Sequence, residues 1–411
     1  MPPRLQDGIF AGPTKRPGVA FGILFLRADR EQDAAGLDAT LVDLTRMLTE
    51  LAAGRVADLP GHAVPGGGLS VLLGFGPKAF AVPGAKRALP AELAPTFQFR
   101  SPLPSGGGPL LRNGGLNYAE DITRNLATEE LCLQFIADTH LAVSRAAVET
   151  WKLLRDRRDR ATGAAPLEIV AVFEGFQRDD MRSWIDFHDG VSNLRSDDRH
   201  KVVAIDSTGD PADTWTVGGS YLAFLRIPVN LEGWRTLNRE QQELLVGRDK
   251  LTGSPLTGTD TQGRPVPDPG CPAAGTSEVV QPGNEAFREP RQVEESVVAT
   301  SHVQRANHNK AAPPDQPNSL RVFRQGYEFF ESSLNAPGFR VGLNFVSFQD
   351  TPDRLLRMLT KNGWLGQVNF GGDPAQQLPA VRSMLTVRAG GVYLAPPVVD
   401  GEAYPGASIF T

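Results

Sequence analysis

Two successive parts of the chain share one order of elements, and this order restricts the fold more than any other feature. In the first part, short apolar runs rich in strand-forming residues lie at 19–27, 69–75 and 167–174. A helix is predicted between the first two, where leucines and a methionine recur at helical spacing, and a second, long helix at 129–157. Strand, helix, strand, loops, helix, strand is the order of a ferredoxin-like α+β unit. We therefore predict a first domain at 1–175.

The second part repeats the pattern. A strand is predicted at 218–229, two short helices within 231–246, a hairpin of two strands at 320–330 and 340–348, a helix at 351–362 and a last strand at 392–394. Residues 251–290 are rich in Gly, Pro, Thr and Asp, and we interpret them as a long surface loop. The predicted fold class is α+β, with two ferredoxin-like domains of antiparallel sheets flanked by helices, at 1–175 and 176–411.

The composition argues against some classes of binding partner and predicts a cellular compartment. The chain has 411 residues and a formal net charge of −5, which argues against nucleic acid or an anionic membrane as its main partner. No stretch reaches 18 apolar residues, and the N-terminal residues resemble neither a signal peptide nor a twin-arginine signal. We therefore expect a soluble, cytoplasmic protein. Of the two cysteines, Cys132 lies in an apolar run and is predicted to be an inert core thiol.

Three short segments carry the candidate chemistry. The first is Ser-Trp-Ile-Asp-Phe-His-Asp-Gly-Val-Ser-Asn-Leu at 183–194, where Asp189 precedes Gly190. The second is Ser-His-Val-Gln-Arg-Ala-Asn at 301–307, and the third is Arg-Val-Phe-Arg-Gln-Gly-Tyr at 321–327. Taken alone, an Asp-Gly pair indicates only a turn, and a single histidine is more often structural than a ligand.

In this order and spacing the three segments resemble the signature of the dye-decolourising peroxidases, a family of haem enzymes. The resemblance implies that His302 is the proximal ligand of the haem iron. It also implies that Asp189 is the distal acid/base, in a motif Gly-x-x-Asp-Gly, and that Arg324 stabilises developing negative charge. An imidazole nitrogen is a usual axial ligand in peroxidases, and a guanidinium stays protonated at any working pH.

The resemblance extends to the seating of one haem b per chain, which it implies in the C-terminal half. The segment after the catalytic aspartate and the segment after the proximal histidine are implied to meet the propionates, and an apolar pair is implied to wall the distal pocket. Those positions are Gly190, Val191, Ser192, Asn307, His308, Asn309, Leu343 and Phe345.

Three departures from the family pattern stand out. Asp186 replaces the first glycine of the motif, and the arginine that commonly follows the proximal histidine is absent. Arg305 or Lys310 could substitute for that arginine. No Asp or Glu lies between 374 and 399, where the family places the acid that hydrogen-bonds the proximal histidine. Asp373 or a backbone carbonyl could take this place.

The leading hypothesis is a haem peroxidase that reduces hydrogen peroxide and oxidises an organic donor, phenolic or dye-like, by single electrons. Two alternatives remain open: a dedicated biosynthetic haem oxidase or oxygenase acting on one metabolite, and a haem-binding protein without turnover. No nucleic acid or membrane partner is expected, and a homo-oligomer is compatible with the sequence.

Overall fold

The computed structural model describes residues 4–9, 18–29, 31–93, 117–118, 129–158, 165–189, 194, 196–257, 293–306, 321–360, 368–373, 375 and 378–411. Within these ranges the protein is an α+β fold whose main sheet is antiparallel, as the sequence predicts. The strands are β1 (Ala20–Ala28), β2 (Ser70–Phe75), β3 (Asn117–Tyr118), β4 (Leu131–Ala137), β5 (Leu167–Phe176), β6 (Ser220–Pro228), β7 (Phe323–Ser332), β8 (Phe339–Gln349), β9 (Thr386–Val387) and β10 (Ala389–Ala395).

Helices cover the outer face of the sheet in both halves of the chain. Two of them, α1 and α2, belong to the first half, and the others are shorter. Their bounds are α1 (Ala34–Ala52), α2 (His140–Asp156), α3 (Ser196–Val203), α4 (Leu231–Arg235), α5 (Arg239–Val246), α6 (Glu295–Val298), α7 (His302–Ala306), α8 (Asp353–Thr360) and α9 (Pro379–Arg382).

Eight strands close into a barrel in the order β1-β4-β2-β10-β6-β8-β7-β5. Four neighbouring strands come from each half of the chain. When the four barrel strands of each half are numbered along the chain, both sets lie side by side in the order fourth, first, third, second. The two sets meet at two short seams, where β2 pairs with β10 at Phe75 and Leu394, and β5 pairs with β7 at Phe176 and Glu328. The closed barrel leaves no edge strand between the halves.

Side chains alternate between the two faces of every strand, so the barrel has an inside and an outside. The inside is filled by large apolar residues from both halves, among them Phe25, Phe224, Tyr327 and Tyr393, all fully buried. On the outside of the first half, α1 and α2 pack their apolar faces against the sheet. On the outside of the second half, the sheet meets α8, and this outer face carries the candidate site.

One element differs from its prediction. The predicted helix at 129–157 is two elements: strand β4, then helix α2 with Thr139 as its N-cap, whose hydroxyl accepts from the Ala142 amide. Every residue of β4 is buried because β4 pairs with both β1 and β2. A short run that is apolar on both faces has no alternation, so periodicity cannot distinguish it from a buried helix. The additional strand completes the order strand, helix, strand, strand, helix, strand in the first half.

The other predicted elements are confirmed, including α5, where Asn238 and Gln241 form a capping box. Cys132 is fully buried in the barrel, and burial raises the pKa of its thiol. The greater part of the predicted loop at 251–290 lies outside the described residues. Among the helices described, none is long and apolar enough to cross a membrane.

Two buried glutamines of the first half differ in their hydrogen bonding. The side chain of Gln6 accepts from the Leu73 amide at 2.9 Å and donates to the carbonyls of Leu73 and Pro396 at 2.9 and 3.0 Å. Gln134 points into the barrel, and neither polar atom of its side chain has a hydrogen-bond partner in the ranges described. Their exposures are 5% and 1%, so burial does not distinguish them.

We expect opposite effects when each is replaced by methionine, which has a similar shape. Gln134→Met removes an unsatisfied amide and should raise the free energy of unfolding by about 1 kcal/mol. Gln6→Met leaves three backbone groups without partners and should lower it by about 2 kcal/mol or more. Urea unfolding followed by circular dichroism measures both. Destabilisation by Gln134→Met to the same extent would mean that its amide is satisfied in solution.

Candidate active site

A cavity of about 290 Å³ lies between the outer face of the second-half sheet and the helices that cover it. Its walls include five residues that the sequence singles out: Asp189, His302, Arg324, Leu343 and Phe345. They come from three separate parts of the chain, namely the segment after β5, helix α7 and the hairpin β7–β8. The fold therefore brings the three sequence segments together at one place.

His302 is the first residue of α7, and its ring is held from two sides. The Nδ1 atom lies 2.8 Å from the carbonyl oxygen of Phe370, and the two rings stack with centroids 4.5 Å apart. Gly371 allows this approach, since a Cβ there would lie 2.8 Å from the His302 backbone nitrogen. A carbonyl only accepts, so the Nδ1 proton is donated to it and Nε2 carries the lone pair. Burial lowers the pKa of His302 to about 4, and the imidazole is therefore neutral at physiological pH.

The contact with Phe370 decides between the two partners considered for the histidine. Asp373 instead accepts a hydrogen bond from the Ala375 amide at 2.9 Å, and its charge opposes the lowering of the Arg305 pKa by burial. A neutral carbonyl makes the imidazole less basic than a carboxylate partner would. The imidazole is thus held in the orientation that a metal ligand requires. It donates less electron density than an imidazole that is hydrogen-bonded to a carboxylate.

Asp189 is positioned by a narrow hairpin-like turn between 181 and 189. Its backbone amide donates to the Met181 carbonyl at 2.9 Å, and the Ser183 amide donates to the Phe187 carbonyl at 2.9 Å. The Arg182 side chain donates to the carbonyls of Lys250 and Leu251 and to Nε2 of His188, which attaches the turn to the segment after α5. Burial lowers the pKa of His188, so this ring, too, is neutral.

Asp186 occupies the position of the motif's first glycine and has φ of 66°. This left-handed region favours glycine, and aspartate is among the few other residues that adopt it at modest cost. Its side chain is largely exposed, with a carboxylate oxygen 3.5 Å from Nζ of Lys250. The replacement therefore keeps the backbone of the turn, and Asp186 is not among the residues that line the cavity.

Strand β7 presents Arg324, Gly326 and Glu328 in a row on its outer face, because alternate residues of a strand share a face. Gly326 has no side chain, and Leu343 and Asp189 share that space: a Cβ on Gly326 would lie 3.1 Å from Cδ1 of Leu343 and 3.2 Å from Oδ2 of Asp189. Burial lowers the pKa of Arg324, while the negative charge of Asp189 opposes this effect. The carboxylate thus lies between the arginine and Glu328.

The remaining walls are apolar. Leu343 and Phe345 of β8 line the cavity next to Leu225 and Ile227 of β6, and helix α8 contributes Leu355, Met358 and Leu359. Leu343 and Phe345, the apolar pair that the resemblance singles out, therefore line the same cavity as Asp189, His302 and Arg324. Of the other predicted cofactor contacts, Gly190, Val191, Ser192, Asn307, His308 and Asn309 lie outside the described residues, as does Lys310.

Sequence reasoning missed two arginines of the cavity, Arg248 and Arg321. Their positive charges both lower the pKa of Arg324, which indicates that all three guanidinium groups are close. Arg305, the substitute considered from the sequence, instead donates to the carbonyls of Thr300 and Gly372 at 2.7 Å each and does not line the cavity. Arg321 lies in the third segment, which was the only available signal; Arg248 is distant in sequence.

Glu328 is the second group that sequence reasoning missed. Its side chain lines the cavity, and the residue is only 5% exposed. Burial, reinforced by the charge of Asp189, raises its pKa to about 8. Its position two residues beyond Gly326 on a predicted strand was the signal that could have placed it.

These residues fit the flat, apolar and doubly anionic cofactor that the resemblance implies. The walls are apolar, Nε2 of His302 carries the lone pair that a metal ligand needs, and arginines offer counter-charges for carboxylates. Within the described ranges, no group of three or more His, Cys, Asp or Glu side chains could hold a metal ion by itself. A single histidine requires a cofactor that supplies the other ligands of a metal.

Solved structures share the fold over nearly the whole chain. A DyP-type peroxidase from Cellulomonas bogoriensis superposes with a TM-score of 0.64 and 21% identity, over 98% of this chain and 97% of the other. Ferric DtpA from Streptomyces lividans gives 0.65 and 20% over 98% and 97%. An encapsulated DyP-type peroxidase from Mycobacterium smegmatis gives 0.60 and 19% over 96% of both chains.

Curated relatives match a smaller part. A deferrochelatase of Escherichia coli O157:H7 is 27% identical over 228 residues, which are 54% of this chain and 44% of the relative. The chain thus spans about half the length of the curated relatives it matches. The family profile described as Dyp-type peroxidase, C-terminal, matches residues 180–400, more than half of the chain and all the segments that form the cavity. This protein belongs to the Dyp-type peroxidase family.

Proposed function

We propose that this protein is a haem peroxidase that reduces hydrogen peroxide at the cavity and oxidises an organic donor. The observation that carries the proposal is the combination of Asp189, Arg324 and a neutral, oriented His302 in one largely apolar cavity. Binding haem alone requires neither a cavity carboxylate nor a third arginine. Both are what the cleavage of a peroxide bond requires.

We propose one haem b per chain, held through Nε2 of His302. The charges of the cavity support a cofactor with two carboxylates. Among the described residues of the lining, three arginines face the carboxylate of Asp189, and with His302, His188 and Glu328 neutral the arginines outnumber that carboxylate by two. A buried net charge is costly unless it is compensated. Arg248 and Arg321 are the residues we assign to the propionates, because Arg324 lies beside Asp189.

Bound through His302, haem would supply the redox-active iron for peroxide reduction. Asp189 would take a proton from one oxygen of the peroxide and return it to the departing oxygen, as a general acid and base. Arg324 remains charged and stabilises the negative charge that develops on the departing oxygen. The apolar wall of Leu343 and Phe345 excludes water, which strengthens both electrostatic effects.

The proposal also concerns the organic electron donor. A cavity of about 290 Å³ cannot hold a bulky phenol or dye together with the cofactor, so we infer that such donors deliver electrons from outside it.

We further infer that each half of the chain is a ferredoxin-like domain, because each contributes four strands in the order fourth, first, third, second.

Two other activities are distinguishable. A dedicated oxidase or oxygenase would show a strong shift of the Soret band with one small metabolite and poor turnover of generic dyes. The name of the curated relatives suggests a deferrochelatase as the second. That activity would leave metal-free porphyrin and free iron, which an iron chelator detects. A haem peroxidase gives neither result.

The first prediction concerns Asp189. Asp189→Asn keeps the size of the side chain but removes the base, so the rate at which the Soret band changes after mixing with equimolar peroxide should fall about 100- to 10,000-fold. Stopped-flow absorbance of the haem-loaded protein measures it. Asp186→Asn is the matched control: it lies in the same turn, its side chain is exposed, and asparagine tolerates its φ. An equal rate in Asp189→Asn and the wild type would remove Asp189 from the mechanism.

The second prediction separates the arginines. Arg324→Leu should slow the same reaction about 100- to 1000-fold while haem affinity changes little. Arg248→Leu should weaken haem binding about tenfold or more, since a charge-assisted contact of about 1.5–3 kcal/mol is lost. Haem titration and stopped-flow absorbance on both variants give the comparison. The reverse pattern would exchange the roles that we assign to these two residues.

A further inference from the structure

Glu328 is a buried carboxyl group that the mechanism above does not use. It lies on the outer face of β7, two positions from Gly326 and four from Arg324. Neighbouring positions on one face of a strand are about 7 Å apart along the chain. Leu343 and Asp189 both lie over Gly326, and the charge of Asp189 acts on Glu328, so the two carboxyl groups are neighbours on this face.

The charged and hydrogen-bonding groups that act on Glu328 come from the segment after β5. Asp189 and Asp180 disfavour its ionised form, whereas Arg178 and the backbone N–H of Trp184 favour it. Burial has the largest effect, and the pKa of Glu328 rises to about 8 as a result. This side chain is therefore a carboxylic acid at neutral pH, and it reaches both the cavity and the turn that carries Asp189.

Reduction of peroxide requires such an acid. One hydrogen peroxide takes up two electrons and two protons and becomes two water molecules. The first water keeps one proton of the peroxide and receives the other through Asp189. The second water needs two further protons, and a donor that is oxidised outside the cavity does not supply them within it. Asp189 can only pass on a proton that it has received.

We propose that Glu328 delivers these two protons to Asp189, which passes them to the oxygen that remains, and that Gly326 leaves room for the Asp189 carboxylate beside the glutamate. Each delivery transfers one proton from Glu328 to Asp189, and the glutamate is recharged from solvent on the side of Arg178 and Asp180. The inference rests on the proposed peroxidase function. Because Glu328 acts through Asp189, it is a positioning residue in the reaction.

The first test does not depend on turnover. Infrared spectroscopy of haem-loaded protein with ¹³C-labelled glutamate carboxyls should show one protonated glutamate at pH 7, which ionises around pH 8. The band should persist in Glu168→Gln, a control on the exposed side of β5, and be missing in Glu328→Gln. Wild-type protein without a protonated glutamate at pH 7 would overturn the proposal, even if the variants failed to fold.

The second test separates the two halves of the reaction. Glu328→Gln cannot release a proton, so steady-state donor turnover at pH 7 should fall about tenfold or more. The first reaction with peroxide should stay within about twofold, because it needs no further proton. Wild-type turnover should fall as pH rises through 8, and Glu328→Gln should lack this alkaline decrease, whereas Glu328→Asp should restore part of the rate and the decrease.

The outcomes distinguish this inference from the proposed function. A wild-type protein that does not react with peroxide removes the function, and the inference with it. A wild-type protein that reacts, while Glu328→Gln keeps the same turnover and the same alkaline decrease, removes only the role of Glu328. Equal losses in the peroxide step and in turnover would indicate structural damage, and they would also contradict the proposal.

Discussion

The site depends on one constraint, the closure of a single antiparallel sheet from two halves of the chain. Closure directs alternate side chains of every strand inward, where aromatic residues from both halves fill the barrel. The other side chains must then face outward, and helices α1 and α2 cover them in the first half. In the second half, α8 and the shorter helices cover them incompletely, and the space that remains is the cavity. A rigid inner core therefore supports a site on its outer wall.

The sequence predicts those parts of the fold that have a local physical signal. Strands with clear alternation, helix α5 with its Asn238 cap, and the hairpin β7–β8 are set by short-range patterns, and the structure agrees with them. The prediction for the residues of strand β4 was wrong because all seven are buried on both faces. Their apolar pattern reflects the packing against β1 and β2 and shows no alternation of its own. The closed barrel itself is invisible in the sequence, since its two seams join strands that are far apart along the chain.

The residues of the candidate site also divide into those that have a local sequence signal and those that have none. Asp189, His302 and Arg324 lie in recognisable segments, and the structure brings all three to one cavity. The partner of His302 is a backbone carbonyl, and a carbonyl has no sequence signature because every residue carries one. Arg248 reaches the cavity from the end of α5, a contact that only tertiary packing decides. Sequence patterns thus identify the candidate catalytic and ligand residues and miss the groups that orient them and balance their charge.

Strand β7 shows why the missing groups matter. The two-residue period of a strand places a cation, a gap and an acid in line, and the gap exists because position 326 is a glycine. A side chain there would push against both neighbours, since even a Cβ would lie 3.1 Å from Cδ1 of Leu343 and 3.2 Å from Oδ2 of Asp189. A glycine that weakens a strand therefore has a purpose here. Its absent side chain lets one carboxylate lie between the charge of Arg324 and the proton of Glu328, and the chemistry proposed for this cavity needs both.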